Sequence, residues 1–337
     1  MPDAVEQRNT ILNLYESGID PETIGLELDI STDSVLEVIE DENKKEQGGA
    51  TNNISDFLLN NHNHQHSPDA VIDIPSMIKE SQTRMWKALR SKPDFNTSSR
   101  KTQGILEKCA GSKINLIILH IDLVGSTRMS LSLPIDRLTT IIRSFAQEMS
   151  LVVSVYGGYV LKYIGDAVLA FFVIGGGGTQ DDGENDAKAK LDGKPKGGDN
   201  GFYLLQYGNA IGCAYTMIKV IQEGIDPILN QYDYPELKVR IGMDFGEVAV
   251  VQYGMDVEEI KKTVIKKPRL DLIGYAVGLA VKMTSLAKPD HVVIGQKLYD
   301  KLDVKHRCEF RPLPENPDIW DYANEATGKI YILYGNH

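Results

Sequence analysis

The chain predicts an α+β fold, an antiparallel sheet carrying helices, with a small all-α domain ahead of it. Three observations support this. Ile114 to Ile121 is an apolar, β-branched run that reads as a buried central strand. Two strand-like runs flank Gly165-Asp166, a signal for a hairpin over 159–173. Helical stretches then alternate with short strand-like runs, the pattern of a ferredoxin-like, palm-type sheet.

The first 45 residues form the expected all-α domain. Val5, Ile11, Leu12, Leu14 and Tyr15 recur at helical spacing up to a stop at Ser17-Gly18. Asp20 and Pro21 open a second helix ending at Leu28, and Ser31 caps a third over 32–42. These three helices resemble a helix-turn-helix module over about 5–42. The segment 31–42 has no Lys or Arg, and residues 1–50 carry thirteen acidic against three basic side chains. Phosphate contacts need cations, so a nucleic-acid partner is disfavoured and a protein partner for this acidic domain is favoured.

Residues 46–74 read as a polar flexible linker. Its alternate histidines His62, His64 and His66 lack a fourth ligand and read as incidental. A connecting helix and loop follow over 75–111, the helix at Pro75 to Lys92 with Met77, Ile78, Met85, Trp86 and Leu89 along it. That stripe suits either signal transmission and dimerisation or packing on the helix's own domain.

The remaining domain, 112–337, is expected to run as a strand to Asp122, a helix 133–155, the hairpin, a helix 202–221, and strands 238–244 and 247–253. A helix 275–287, a strand 291–294, a helix 296–302 and a strand 330–334 complete it. The insertion 175–201, opening on four glycines, is too rich in Gly, Asp and Lys to bury a core and reads as a disordered surface loop. No Gly-Lys-Ser/Thr follows those glycines, which argues against a P-loop.

Composition bounds the class. Apolar residues make up 42% and charged residues 25% of 337 positions, ordinary for a globular chain with a real core. The three cysteines, Cys109, Cys213 and Cys308, are scattered without metal-ligand spacing, which fits a reducing compartment. No leader follows Met1 and no apolar run reaches the ~18 residues of a membrane span, so a cytoplasmic protein without membrane association is expected. Net charge is −11, almost all of it in the first 50 residues.

The chemistry is expected at two carboxylates. Asp122 ends the apolar strand, and Asp166 sits at the hairpin tip. If the hairpin pairs beside that strand, both acids converge on one pair of hard cations, while the turn at Gly125-Ser126-Thr127 offers backbone N–H groups to phosphate.

Four ordered blocks then carry a resemblance. They are Asp122 with Val124-Gly125-Ser126-Thr127, Lys162-x-x-Gly165-Asp166, Val239 to Glu247, and Asp271 to Met283. Together they resemble the class III nucleotide cyclase catalytic domain, the adenylate/guanylate cyclase family, over about 112–337. The resemblance implies conversion of ATP to 3′,5′-cyclic AMP and pyrophosphate at a homodimer interface. It implies two Mg²⁺ or Mn²⁺ ions held by Asp122, Asp166 and the Leu123 carbonyl, and triphosphate contacts from Val124 to Thr127. It also implies base recognition by Lys162 and Asp271. Two positions depart from the family. Gly278 replaces the ribose-orienting Asn, and Lys282 replaces the Arg on the transition-state phosphate, keeping charge but losing the bidentate fork. Slow catalysis, substitution by other residues, and nucleotide binding without turnover are all consistent with these departures.

Overall fold

The computed structural model describes residues 8, 11–12, 15, 21–28, 30–39, 72–90, 100–174, 199–260, 263–314, 316, 318–323 and 328–336. Almost all of the expected linker, its histidines and residues 175–198 of the insertion lie outside them, as do Asp20 and most of the first expected helix. The chain divides into two compact units, 1–54 with 96–98, and 55–95 with 99–337.

In the first unit, helix α1 (Pro21–Leu28) and helix α2 (32–39) surround a small core of Ile11, Ile24, Val35 and Ile39. Ser31 caps α2 as expected, its Oγ accepting from Ser34 N at 3.2 Å. Gly25 is required where the chain turns back. A Cβ there would meet the Ile30 carbonyl oxygen at 2.9 Å.

The second unit is built on an eight-stranded sheet of order β2-β3-β1-β4-β6-β8-β7, with β5 paired to β4. The strands are β1 (Lys113–Leu123), β2 (Tyr159–Ile164), β3 (Ala167–Val173), β4 (Val239–Ile260), β5 (Thr263–Ile273), β6 (His291–Gly295), β7 (Phe310–Pro312) and β8 (Leu333–Asn336). All neighbours run antiparallel except β4 and β6, which are parallel. The expected hairpin is present, with Gly165 in the left-handed region at φ 64°.

β1 is buried on both faces, which is why it reads as a continuous apolar run. Ile117, Leu119, Ile121 and Leu123 join the larger core under helices α3 (Ile74–Arg90), α6 (Ile135–Val155) and α7 (Asp199–Lys219). Leu116 and Ile118 join the second core under helices α4 (Arg100–Lys108) and α9 (Tyr275–Leu286). The short α5 (Ser126–Ser132) leads into α6, and α7 continues through a six-residue π turn, Val220–Ile225, into α8 (Asp226–Asn230). Helices α10 (Gln296–Lys301) and α11 (Val304–Arg307) follow β6.

Three expectations are corrected. The strands expected at 238–244 and 247–253 are one strand of 22 residues. Gly246 does not turn the chain. It makes room for α9, because a Cβ there would lie 2.0 Å from the Tyr275 hydroxyl oxygen, as one on Gly242 would lie 2.1 Å from the Ala280 carbonyl. β5 and α4 were not foreseen. α4 is mostly polar, yet it buries Ile105 and Leu106 on the second core.

The connecting helix α3 packs on its own domain. Met85 and Leu89 enter the larger core while Trp86 stays exposed. Arg84 holds Glu148 of α6 bidentately, Nε to Oε1 at 2.7 Å and Nη2 to Oε2 at 2.9 Å, with the Glu148 side chain 3% exposed. Arg84→Met leaves that carboxylate buried and unpaired, and denaturant titration is expected to show a loss of roughly 3 kcal/mol. Adding Glu148→Met should recover most of the loss, because the cost lies in the orphaned charge.

Candidate active site

The sheet brings the two predicted carboxylates together. Ile121 of β1 pairs with Val168 of β3, so Asp122 and the hairpin tip carrying Asp166 emerge at the same end of neighbouring strands. Their electrostatics report the proximity. Burial first, then the Asp166 charge, push the Asp122 carboxyl above its ordinary pKa, against the Leu123 N–H and the charge of Arg240. Asp166 Oδ2 is buried and has no hydrogen-bond partner. Behind them, His120 is buried against Thr284, Nδ1 to Oγ1 at 2.9 Å, and burial lowers its pKa.

A buried carboxylate oxygen without a partner beside a second, like-charged carboxylate suits divalent ions that prefer oxygen ligands, Mg²⁺ or Mn²⁺. Among the described residues no group of three or more His, Cys, Asp or Glu could hold a metal. The two side chains therefore leave most of a hard ion's coordination to carbonyl, water and substrate oxygens.

The turn after Asp122 is partly committed to the sheet. Val124 donates its N–H to the Lys238 carbonyl at 2.7 Å, which removes that amide from the expected phosphate donors. Gly125 follows at φ 74° and opens α5 without a side-chain cap, so the first-turn amides at Ser126 and Thr127 have no intrahelical acceptor.

Lys162 of β2 and Asp271 of β5, 109 residues apart, meet in an ion pair, their side chains 41% and 27% exposed. Asp271 pairs in register with Val251, whereas Asp122 pairs with Arg240. Asp271 of the Lys162–Asp271 pair and Asp122 of the carboxylate pair thus lie opposite different stretches of β4. On α9 the space beside Gly278 is open, with no atom within 4 Å of a built Cβ. Lys282 is exposed, its Nζ 4.9 Å from the centroid of the Tyr322 ring.

Two charged residues inside β4 were quoted in a motif but given no role. Arg240 faces Asp122 across the β1–β4 pair. Asp244 is fully buried, accepting from Tyr331 Oη at 3.1 Å and Phe245 N at 2.8 Å. A charge between apolar neighbours was the signal available for both. Burial raises the Asp244 pKa to about 7. The folded state therefore keeps a proton that the unfolded chain has released, so this group's contribution to stability falls as pH rises from about 4 to about 7. Melting wild type and Asp244→Asn between pH 4.5 and 8 should give a difference that shifts toward the variant as pH rises. A difference independent of pH would contradict a buried, protonated acid.

The mixed α+β domain thus sets two acids beside a helix-opening turn, with a Lys–Asp pair elsewhere on the sheet. The profile described as adenylate and guanylate cyclase catalytic domain matches residues 110–317, and the chain belongs to that family.

Curated relatives include a cytidylate cyclase of Escherichia coli, 26% identical over 192 residues that cover 56% of this chain and 35% of the relative. A cytidylate cyclase of Staphylococcus aureus is 27% identical over 224 residues, 65% of this chain and 43% of the relative. The chain thus spans less than half the length of these two relatives. A uridylate cyclase of Rhodovulum sp. (strain MB263) is 24% identical over 62% of this chain and 73% of the relative. Among solved structures, the guanylyl cyclase Cya2 aligns over 67% of this chain and 93% of its own, with 17% identity and a TM-score of 0.46. The adenylyl cyclase CyaB from P. aeruginosa aligns over 67% and 95%, with 18% identity and a TM-score of 0.43. No helix among the described residues is long and apolar enough to cross a membrane.

Proposed function

We propose that the chain carries a nucleoside-triphosphate cyclase whose base pocket reads an amino-imine edge, with ATP and CTP as the substrates that present one. The observation that carries the reading is Asp122 set beside the partnerless buried oxygen of Asp166. In the reaction the ribose 3′-oxygen bonds to the α-phosphorus, the bond to pyrophosphate breaks, and the hydroxyl proton passes to solvent. Divalent ions, when bound, acidify that hydroxyl and offset phosphate charge. Asp122 and Asp166, with the Leu123 carbonyl, would hold them. The amides from Gly125 to Thr127 would orient the terminal phosphates.

Lys162 can donate to adenine N1 and Asp271 can accept from the exocyclic amine. Cytosine offers the same order, a ring nitrogen acceptor beside an amine, whereas guanine and uracil present the reverse. This supports ATP, and it equally supports CTP; two of the relatives are named cytidylate cyclases. Because Asp122 and Asp271 lie opposite different stretches of β4, we take the working unit to be a head-to-tail homodimer in which the carboxylates of one chain face Lys162, Asp271 and Lys282 of the other. A cytoplasmic setting and a protein partner for the acidic first unit belong to the same proposal; DNA does not.

Incubation with each of the four triphosphates and Mn²⁺, followed by mass spectrometry, tests it. Cyclic AMP or cyclic CMP with pyrophosphate is expected. Preference for GTP or UTP would overturn the base reading. Nucleotide binding without product would favour a sensor, a reading supported by Gly278 and by Lys282 lying over Tyr322.

A further inference from the structure

We propose that Asp226 is a positioning residue of this site, which sets the phosphate turn by holding the chain that enters β4. The inference rests on the cyclase reading above. Asp226 opens α8 and is only 5% exposed, although an acid is seldom buried unless it holds a partner. Its Oδ1 accepts from Leu237 N at 2.8 Å, eleven residues further on. The next residue, Lys238, gives its carbonyl to the Val124 N–H at 2.7 Å, and Val239 pairs in register with Leu123. The grip on Leu237 therefore reaches, through two residues of backbone, the point where the turn over 124–127 begins.

A second carboxylate clasps the same segment. Asp290 Oδ1 accepts from Val239 N at 3.1 Å, and the Asp290 N–H donates to the Val239 carbonyl at 2.6 Å. Asp290 does so at φ 60°, a conformation that a residue other than glycine keeps only where its surroundings hold it. Lys238 Nζ lies 3.2 Å from Asp290 and 3.7 Å from Glu236 and offsets their charge. Asp226 is itself fixed from behind. It follows directly on the π turn, against which α3 packs, Gln82 Nε2 donating to the Glu223 carbonyl at 2.7 Å. Burial raises the Asp226 pKa to about 6, against the Leu237 N–H, so the group is ionised at neutral pH. A neutral acceptor would satisfy the Leu237 N–H at a lower desolvation cost. The carboxylate makes that bond roughly twice as strong, which suits a backbone that must stay in place while a highly charged phosphate chain docks and leaves.

A role confined to stability predicts variants that melt lower yet bind ligands unchanged once folded. In the full chain, Mn²⁺ alone, followed by electron paramagnetic resonance, reads the carboxylates. The Mn²⁺ complexes of α,β-methylene ATP and α,β-methylene CTP, followed by calorimetry, add the phosphate turn. Asp226→Ala leaves the Leu237 N–H without its acceptor and is expected to bind both analogues about tenfold more weakly, with Mn²⁺ affinity unchanged. Asp226→Asn keeps an acceptor but not the charge, and should weaken the analogues by a smaller factor, roughly threefold. If Asp226→Ala does not fold, Asp226→Asn decides alone, and unmoved analogue affinity in it overturns the assignment. Analogue affinity unmoved in Asp226→Ala, or Mn²⁺ and analogue affinities that fall together, would overturn it as well. Wild-type protein that binds no Mn²⁺, or that binds it as well after Asp122→Ala, would instead overturn the carboxylate site on which the inference rests.

Discussion

Asp166→Asn should yield a folded protein that forms cyclic nucleotide at least ~10²–10³-fold more slowly than wild type. The side chain is near-isosteric, and the replaced Oδ2 makes no hydrogen bond, so no existing contact is lost. What is lost is one negative charge at the point where two acids are forced together. That charge helps to hold the Asp122 carboxyl above its ordinary pKa. Removing it lets Asp122 ionise more readily, so the variant without metal should melt no lower than wild type at neutral pH. Loss of turnover together with unchanged or improved thermal stability is therefore the expected pair of results, measured by product mass spectrometry and by melting without Mn²⁺. A variant that keeps wild-type turnover would remove Asp166 from the chemistry. A variant that melts far below wild type would mark the residue as a turn-former, a role its position after Gly165 also permits.

The parts of this site legible in the sequence are those whose signal is local. Asp122 ends an apolar run, and Asp166 follows a glycine between two strands, so strand, turn and acid can be read from a dozen consecutive residues. Arg240 and Asp244 were opaque because their partners lie across the sheet. Nothing in the spacing of Val239 to Glu247 says that residue 240 will face residue 122, or that Tyr331 will close over residue 244. The same limit explains β5. Its run Lys266-Lys267-Pro268-Arg269 is charged and carries a proline, and among the described residues this strand pairs with β4 alone, an edge position where a proline is tolerated. The break expected between 244 and 247 is absent, and Gly246 is there to make room for Tyr275 on another element.

Reversing the base-type pair should change which triphosphate is used. The variant Lys162→Glu with Asp271→Lys keeps an ion pair between β2 and β5, so the attraction now made across 109 residues survives with its sign inverted. The hydrogen-bond order inverts too. An acceptor stands where adenine N1 or cytosine N3 needs a donor, and a donor stands where their amine needs an acceptor. Guanine, with a ring N–H beside a carbonyl, and uracil, with the same order, become the matching edges. Each matched pair of this kind contributes about 1–3 kcal/mol of discrimination, so the ratio of ATP or CTP use to GTP or UTP use should fall by roughly 10²-fold. Both side chains are partly exposed, and the fold should tolerate the exchange. The single change Lys162→Glu places two carboxylates together and should lose activity on all four nucleotides, which separates inverted recognition from simple damage. If the double variant keeps its original preference at reduced rate, the pair joins β2 to β5 without reading the base, and in the proposed dimer specificity must then come from the shape of the pocket.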